Sequence, residues 1–257
     1  MIYFIGAGPG AVDLITVRGA ELLTKAGIIV YAGSLVNPEL VRKYASPECR
    51  VYDSSSMTLD EIIAVLAEGH SRQILTVRLH SGDPALYGAV REQFEALREC
   101  GIPFEVVPGV SSLFAASAAL KTEYMIPGHV QTLIISRVEG RTPAPESTPE
   151  NESVALFLSA GMTEKACSEL ISRGYPPETP AAIVYRASWP EERVIRGTLA
   201  TLPEMSQGIT KSALILAGDF LSDEASQKSR LYDKTFSHEY RNSCLHQQGH
   251  SFSTENS

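Results

Sequence analysis

The feature that most restricts what this chain can fold into is the stretch Leu79-His80-Ser81-Gly82-Asp83-Pro84-Ala85-Leu86-Tyr87-Gly88, taken with its flanks. Upstream, residues 73–79 are apolar and β-branched, the composition of a buried strand. Downstream, residues 89–100 suit a helix, and Gly101 stands where a helix places its left-handed closing residue. The stretch is therefore expected to be a loop at the carboxyl end of a strand, which is where open α/β sheets bind small ligands. Gly82 allows a ligand close to the backbone. Asp83 precedes a proline and is held extended, which gives its carboxylate a preset direction. An ordinary turn uses the same residues, so the reading depends on companion motifs elsewhere.

The strand–turn–helix unit recurs. Residues 2–5 are apolar and run into Gly6-Ala7-Gly8-Pro9-Gly10-Ala11, with Asp13 beyond, Thr16 as the N-cap of a helix and Gly27 as its stop. A second strand covers 28–31. Asn37-Pro38 opens a short helix, residues 51–52 form a short strand, and Thr58 with Glu61 makes a capping box. A strand over 103–107 ends in Pro108-Gly109-Val110-Ser111-Ser112, before a helix of small residues over 113–120. Such alternation predicts a mostly parallel sheet, filling a first α/β domain over residues 1–112.

Residues 121–129 link it to a second α/β domain over 122–221. Strands are expected there at 131–136, 153–158, 181–185, 193–196 and 212–217, with helices over 163–173 and within 199–206. Pairing 181–185 with 193–196 across Ala187-Ser188-Trp189-Pro190 is antiparallel, so this sheet is expected to be mixed. Residues 137–151 are polar and proline-bearing, a surface loop or an excursion over the site. Residues 222–257 have the composition of a disordered polar tail. Its His238, Cys244, His246 and His250 fit no closed zinc pattern, and no metal is expected.

A chain that is 44% hydrophobic can bury substantial cores. A net charge of −8 leaves no basic footprint for nucleic acid. The apolar runs are too short to span a membrane, and the start shows no basic region or cleavage site. Cys49, Cys100, Cys167 and Cys244 are far apart and form no C-x-x-C pair, which suits unpaired thiols in a reducing compartment. Neither nucleic acid nor membrane is an expected partner, and the expected location is cytoplasmic.

Gly6, Gly8 and Ala11 match a dinucleotide fingerprint, which invites an oxidoreductase reading. Against it, the second strand ends in Ala32-Gly33-Ser34 with no acid to hold a ribose, and Pro9 and Gly10 change the shape of the turn. Ser111 and Ser112 join a strand's carboxyl end to a helix's amino end, a suitable place for ligand contact.

Together the three turns, Gly6-Ala7-Gly8-Pro9-Gly10 with Asp13, Ser81-Gly82-Asp83-Pro84, and Pro108-Gly109-Val110-Ser111-Ser112, resemble the tetrapyrrole methylase family over residues 1–221. The 79–88 stretch, the chain's opening and Tyr31-Ala32-Gly33-Ser34-Leu35 are most similar to its precorrin-4 C-11 methyltransferase branch, which serves corrin synthesis towards cobalamin. Ser81 stands where uroporphyrinogen methylases of the family carry glycine. The resemblance implies two α/β domains, each around a mostly parallel or mixed sheet, with S-adenosyl-L-methionine in the cleft between them and S-adenosyl-L-homocysteine as product. It further implies a homodimer and an anionic tetrapyrrole substrate, precorrin-4 or its cobalt complex, methylated at C-11. Methylation of another ring carbon or of uroporphyrinogen III, and retention of a tetrapyrrole without catalysis, stay as alternatives. Carried over residue by residue, the cofactor contacts are Pro9, Gly82, Asp83, Leu86, Ser111 and Ser112, with Ser159, Ala187 and Ala213 from the second domain. Asp83 is expected to orient the cofactor's amino group.

Such a reaction asks the protein mainly to bind and align, because the cofactor brings the activated methyl. Tyr87, Glu123 and Tyr124 are the candidates for taking the proton that leaves the ring. An acidic protein that binds a polycarboxylate must gather basic groups locally. The candidates are Arg78, Lys121, Arg137, Arg186 and Arg193, of which at least two are expected to line the cleft.

Overall fold

Side-chain caps written into the sequence set where the first helices begin. The computed structural model describes residues 1–127, 130–138, 152–222 and 237. In it, strand β1 (Ile2–Gly6) leads to helix α1 (Val17–Lys25), where the Thr16 hydroxyl accepts the Gly19 N–H. Strand β2 (Ile28–Tyr31) leads to α2 (Pro38–Tyr44), capped by Asn37 with Pro38 in the first turn. After β3 (Arg50–Asp53), α3 (Leu59–Ser71) opens on the expected capping box of Thr58 and Glu61. Strand β4 (Thr76–His80), α4 (Arg91–Glu99), β5 (Phe104–Val107) and α5 (Ser112–Leu120) follow. Gly101 closes α4 with a φ of 66°, and the Ser111 hydroxyl caps α5.

These five strands form one parallel sheet in the order β3-β2-β4-β1-β5. Strand β4 is buried along its whole length, as a central strand with both faces covered must be. Leu23 and Leu40 pack on Ile5, Val77 and Leu79 on one face, while Leu66 and Leu97 pack on Ile2, Phe4 and Val30 on the other. The neighbouring positions of β4, β1 and β5 set side by side the three turns that follow them.

The second half holds β6 (Thr132–Arg137), β7 (Glu152–Phe157), α6 (Thr163–Ser172), β8 (Pro180–Tyr185), β9 (Arg193–Thr198), the one-turn α7 (Leu202–Met205) and β10 (Ala213–Ala217). Its sheet runs β6-β7-β10-β8-β9, with β6 and β7 parallel and the other pairs antiparallel, so it is mixed. One face packs on α6 and α7 through Cys167, Leu170 and Leu202. The other receives α5, whose Leu113, Ala116 and Leu120 pack with Ala182, Val184, Leu214 and Leu216. The alanines of α5 let helix and sheet approach closely. Helix α5 thus starts at the edge of the first sheet and belongs to the core of the second.

Cys49, Cys100 and Cys167 are free thiols. Among the described residues no helix is long and apolar enough to cross a membrane. The polar excursion read over 137–151 lies outside the described residues from 139 onward, as does the tail with His238, Cys244, His246 and His250.

Candidate active site

Glycines bring the three turns into backbone contact. Gly8 and Gly82 exchange two hydrogen bonds, the Gly82 N–H donating to the Gly8 carbonyl at 2.8 Å and the Gly8 N–H to the Gly82 carbonyl at 3.2 Å. The Ala7 N–H donates to the His80 carbonyl at 2.7 Å. A Cβ on Gly6 would lie 2.5 Å from Gly109 Cα and 2.6 Å from the Gly82 carbonyl oxygen, so only glycine permits this crossing. Asp83 ties in the third turn: its Oδ2 accepts the Gly109 N–H at 2.8 Å, and its Oδ1 accepts the Ala85 N–H at 2.8 Å.

This knot is one wall of a cavity of about 320 Å³ between the two sheets, within the range of pockets that enclose small ligands. Of the residues carried over as cofactor contacts, Pro9, Gly82, Asp83, Leu86, Ser111, Ser112, Ala187 and Ala213 line it. Ser111 and Ser112 place the amino end of α5 on the wall, where helix N–H groups favour negative charge. The second half contributes an apolar stretch of wall, Phe157, Leu158, Ala160, Val184 and Leu214. Tyr87 also lines the cavity, its ring centroid 5.3 Å from that of Phe157. Burial pushes the Tyr87 hydroxyl above its ordinary value, against the opposing charge of Arg137, so Tyr87 stays protonated.

The second half also grips the first turn. The Trp189 indole N–H donates to the Pro9 carbonyl at 2.9 Å, and the Ser188 hydroxyl accepts the Ala11 N–H at 3.0 Å. From the other side the Asn37 carboxamide donates to the Gly10 carbonyl at 2.9 Å. A Cβ on Gly10 would fall within the Trp189 indole. Arg186 stacks over Trp189 at 5.0 Å and pairs with Glu191 at 3.3 Å.

Several sequence expectations are corrected here. Ser159 is fully buried and faces inward, its hydroxyl accepting the Val138 N–H and donating to the Phe157 carbonyl; its neighbours Leu158 and Ala160 line the cavity instead. Arg78 lies behind the first sheet, only 5% exposed, among Gln93 and the Val30 carbonyl. Lys121 and Glu123 are exposed beyond the carboxyl end of α5, some 13 Å along the helix from its cavity end. Tyr124 is buried and donates to the Leu113 carbonyl at 2.6 Å, and burial drives its hydroxyl far above the range of a proton acceptor. Arg193 stacks on Tyr185 at 4.8 Å, on the edge strand β9 and off the cavity wall. Arg137 stands at the end of β6 and acts on the Tyr87 hydroxyl. Of the five basic candidates only Arg186 lines the cavity, short of the two expected; the second basic group there is Lys211, which the sequence reading missed. Ser34, Leu35, Phe157, Trp189, Thr210 and Ser212 were missed as well, although Ser34-Leu35 stood within a quoted motif. Among the described residues no three His, Cys, Asp or Glu side chains gather as metal ligands.

Residues 1–203 match the family model described as Tetrapyrrole (Corrin/Porphyrin) Methylases. The chain belongs to the tetrapyrrole methylases. As a methylase it leaves the dinucleotide-dependent oxidoreductase reading without support. This methylase is 46% identical over 250 residues to the cobalt-precorrin-4 C(11)-methyltransferase of Methanocaldococcus jannaschii, covering 94% of this chain and 96% of the relative. It superposes on a solved cobalt precorrin-4 methyltransferase with a TM-score of 0.81 at 42% identity, covering 86% of this chain and 95% of the other. It superposes on the Thermus thermophilus uroporphyrin-III C-methyltransferase complexed with S-adenosyl homocysteine with a TM-score of 0.72 at 28% identity, covering 89% and 96%.

Proposed function

We propose that this methylase transfers a methyl group from S-adenosyl-L-methionine to C-11 of precorrin-4 or its cobalt complex, in the building of the corrin ring. The observation that carries the reading is the convergence of the three separated turns on one cavity, in a chain 46% identical to an enzyme of that name.

The residues present suit the donor. Gly82 puts bare backbone on the cavity wall, and the apolar part of the facing wall, Phe157, Val184 and Leu214, offers a face for a flat base. The amino end of α5 at Ser111 and Ser112 suits a carboxylate. When bound, the donor supplies a methyl on a sulfonium, ready for a carbon nucleophile. Gly82, Asp83 and Leu86 fix one side of the cavity, and Ala187 and Ala213 the other, which limits the directions from which a ring can approach. Tyr87 and Phe157 meet across the cavity, their ring centroids 5.3 Å apart, and narrow it there. Asp83 is the acidic side chain on the wall, and both its oxygens accept backbone N–H groups. Neither Asp83 nor the protonated Tyr87 is therefore a free base, and the work of the side chains is alignment.

Incubating the chain with labelled S-adenosylmethionine and precorrin-4, with and without cobalt, tests this. A product one methyl heavier, with the label at C-11 by carbon NMR, is expected. Label at another carbon would move the assignment within the family, and no transfer to any precorrin would leave a binding protein.

The same reading takes the two sheets as two domains, residues 1–112 and 122–221, and the protein as a cytoplasmic homodimer. The resemblance supports the dimer, as do Val17, Val106 and Phe114, exposed at 77%, 45% and 62%. Sedimentation at micromolar concentration checks it; a monomer there would end it.

A further inference from the structure

We infer that the buried polar side chains Arg78, His80 and Gln93 position Leu86 and Tyr87, by holding the end of their loop in a backbone conformation it would not keep alone. The inference rests on the reading of the cavity as the donor site.

Arg78 and His80 occupy alternate positions of β4 and so share one face of the sheet. They are 5% and 4% exposed, and Gln93 on α4 is 4% exposed. The surroundings are apolar, with Phe4, Val30, Leu66 and Leu97. The Arg78 guanidinium has neutral partners there, its Nε–H donating to Gln93 Oε1 at 3.0 Å and its Nη1 to the Val30 carbonyl at 3.3 Å. Burial lowers its ionisation to about 10. A buried charge with only neutral partners is a poor contribution to stability, and apolar side chains of similar volume serve a core at least as well.

Gln93 and His80 reach the loop, and Arg78 holds Gln93. The Gln93 carboxamide donates to the Ala89 carbonyl at 3.0 Å. The His80 imidazole lies against the Gly88 backbone and stacks on Phe4 at 5.9 Å, its Nε2 buried without a partner. The segment they grip is the one where Tyr87 and Ala89 adopt left-handed φ values of 55° and 47°, which ordinary side chains disfavour. Helix α4 begins after Val90 with no side-chain cap, and Gln93 ties its first turn back to Ala89 through that carbonyl. Gly88 packs so tightly on the Pro84 carbonyl that no Cβ fits, and residues 84–88 form one close-packed block. That block carries Leu86 and Tyr87 into the cavity.

Two variants separate positioning from support. Gln93→Glu keeps an acceptor for Arg78 and adds a counter-charge, yet removes the donor to Ala89. Arg78→Met with Gln93→Leu replaces the polar pair by apolar groups. Each is measured for S-adenosylhomocysteine affinity by calorimetry, for thermal midpoint, and for kcat and KM. The expected result is a folded protein with its midpoint retained and an S-adenosylhomocysteine Kd raised about tenfold or more, with kcat lowered. Adding Ala89→Gly should recover most of that loss, because glycine accepts left-handed backbone without penalty. A supporting role alone predicts no such recovery. Folded variants that bind within about twofold of the unaltered chain overturn the inference, as does a loss that Ala89→Gly leaves in place. If neither variant folds, the three side chains are folding elements and the inference is wrong. An unaltered chain that does not bind S-adenosylhomocysteine sinks the donor-site reading as well, whereas a binding chain with unaffected variants sinks this inference alone.

Discussion

Asp83 spends its two carboxylate oxygens on N–H groups of two different turns, Ala85 in its own and Gly109 in the third. Its primary effect is therefore to fix the cavity wall, and its contact with a ligand comes second. Asp83→Ala is expected to raise the S-adenosylhomocysteine Kd about tenfold or more and to lower stability by about 1.5–3 kcal/mol, the range for hydrogen bonds to a charged group. Calorimetry and denaturant unfolding read the two effects, and affinity unchanged from the parent would remove Asp83 from the site. His80 lends itself to a different measurement. Burial first, then the Arg78 charge, pulls its imidazole from 6.5 down to about 3. The unfolded chain takes a proton near pH 6.5 that the folded chain refuses, so stability is full above that pH and is lost as pH falls towards 3. Between pH 7 and 5 the loss from this one group is about 2 kcal/mol, and His80→Gln should flatten the profile. An equal slope in the variant would mean that other groups cause it. Arg78 and Tyr124 show why residue roles were misread. Arg78 sits in a strand buried on both faces, where the alternation of inward and outward positions carries no signal. Tyr124 is held by a contact with Leu113, which lies on the helix before it.

Among the elements, the β8–β9 connection does more than turn the chain. Its Trp189 is the single tryptophan of the sequence and stands on the cavity wall with its N–H on the Pro9 carbonyl. Titration with S-adenosylhomocysteine should therefore change the intrinsic fluorescence, with a midpoint that matches calorimetry. Gly10→Ala, which drives a methyl into the indole, should weaken binding by about tenfold or more, because the two halves can no longer close on the first turn. A silent fluorescence signal, or a Gly10→Ala variant that binds normally, would argue against the contact. The caps at Thr16, Asn37 and Thr58 were legible because each acts on groups within three residues of itself. The three glycine turns were legible because the close approach demands residues without side chains. The Trp189–Pro9 contact joins positions 180 apart, and nothing local to either one announces it. Ser159 was misplaced for a backbone reason: Leu158 takes a φ of 54°, which turns the following side chain into the core.

For the molecule as a whole, the net charge of −8 makes the cations on the cavity wall conspicuous. Arg186 and Lys211 line the cavity, from the second half. A carboxylate-bearing ring approaching an acidic protein depends on such local positive potential. Arg186→Ala and Lys211→Ala are expected to raise KM for the tetrapyrrole about tenfold and to reduce its dependence on ionic strength, with a smaller effect on S-adenosylhomocysteine. Steady-state kinetics at low and high salt decide this, and an unchanged KM would place the substrate's carboxylates elsewhere.

The final strand of the second sheet is also its middle one: β10 lies between β7 and β8. During synthesis the first sheet is complete once Val107 has emerged. The second stays as two unconnected ribbons, β6–β7 and β8–β9, until residues 213–217 arrive to join them. A chain that stalls before that point carries a finished first sheet next to raw strand edges, ready to pair with any neighbouring polypeptide.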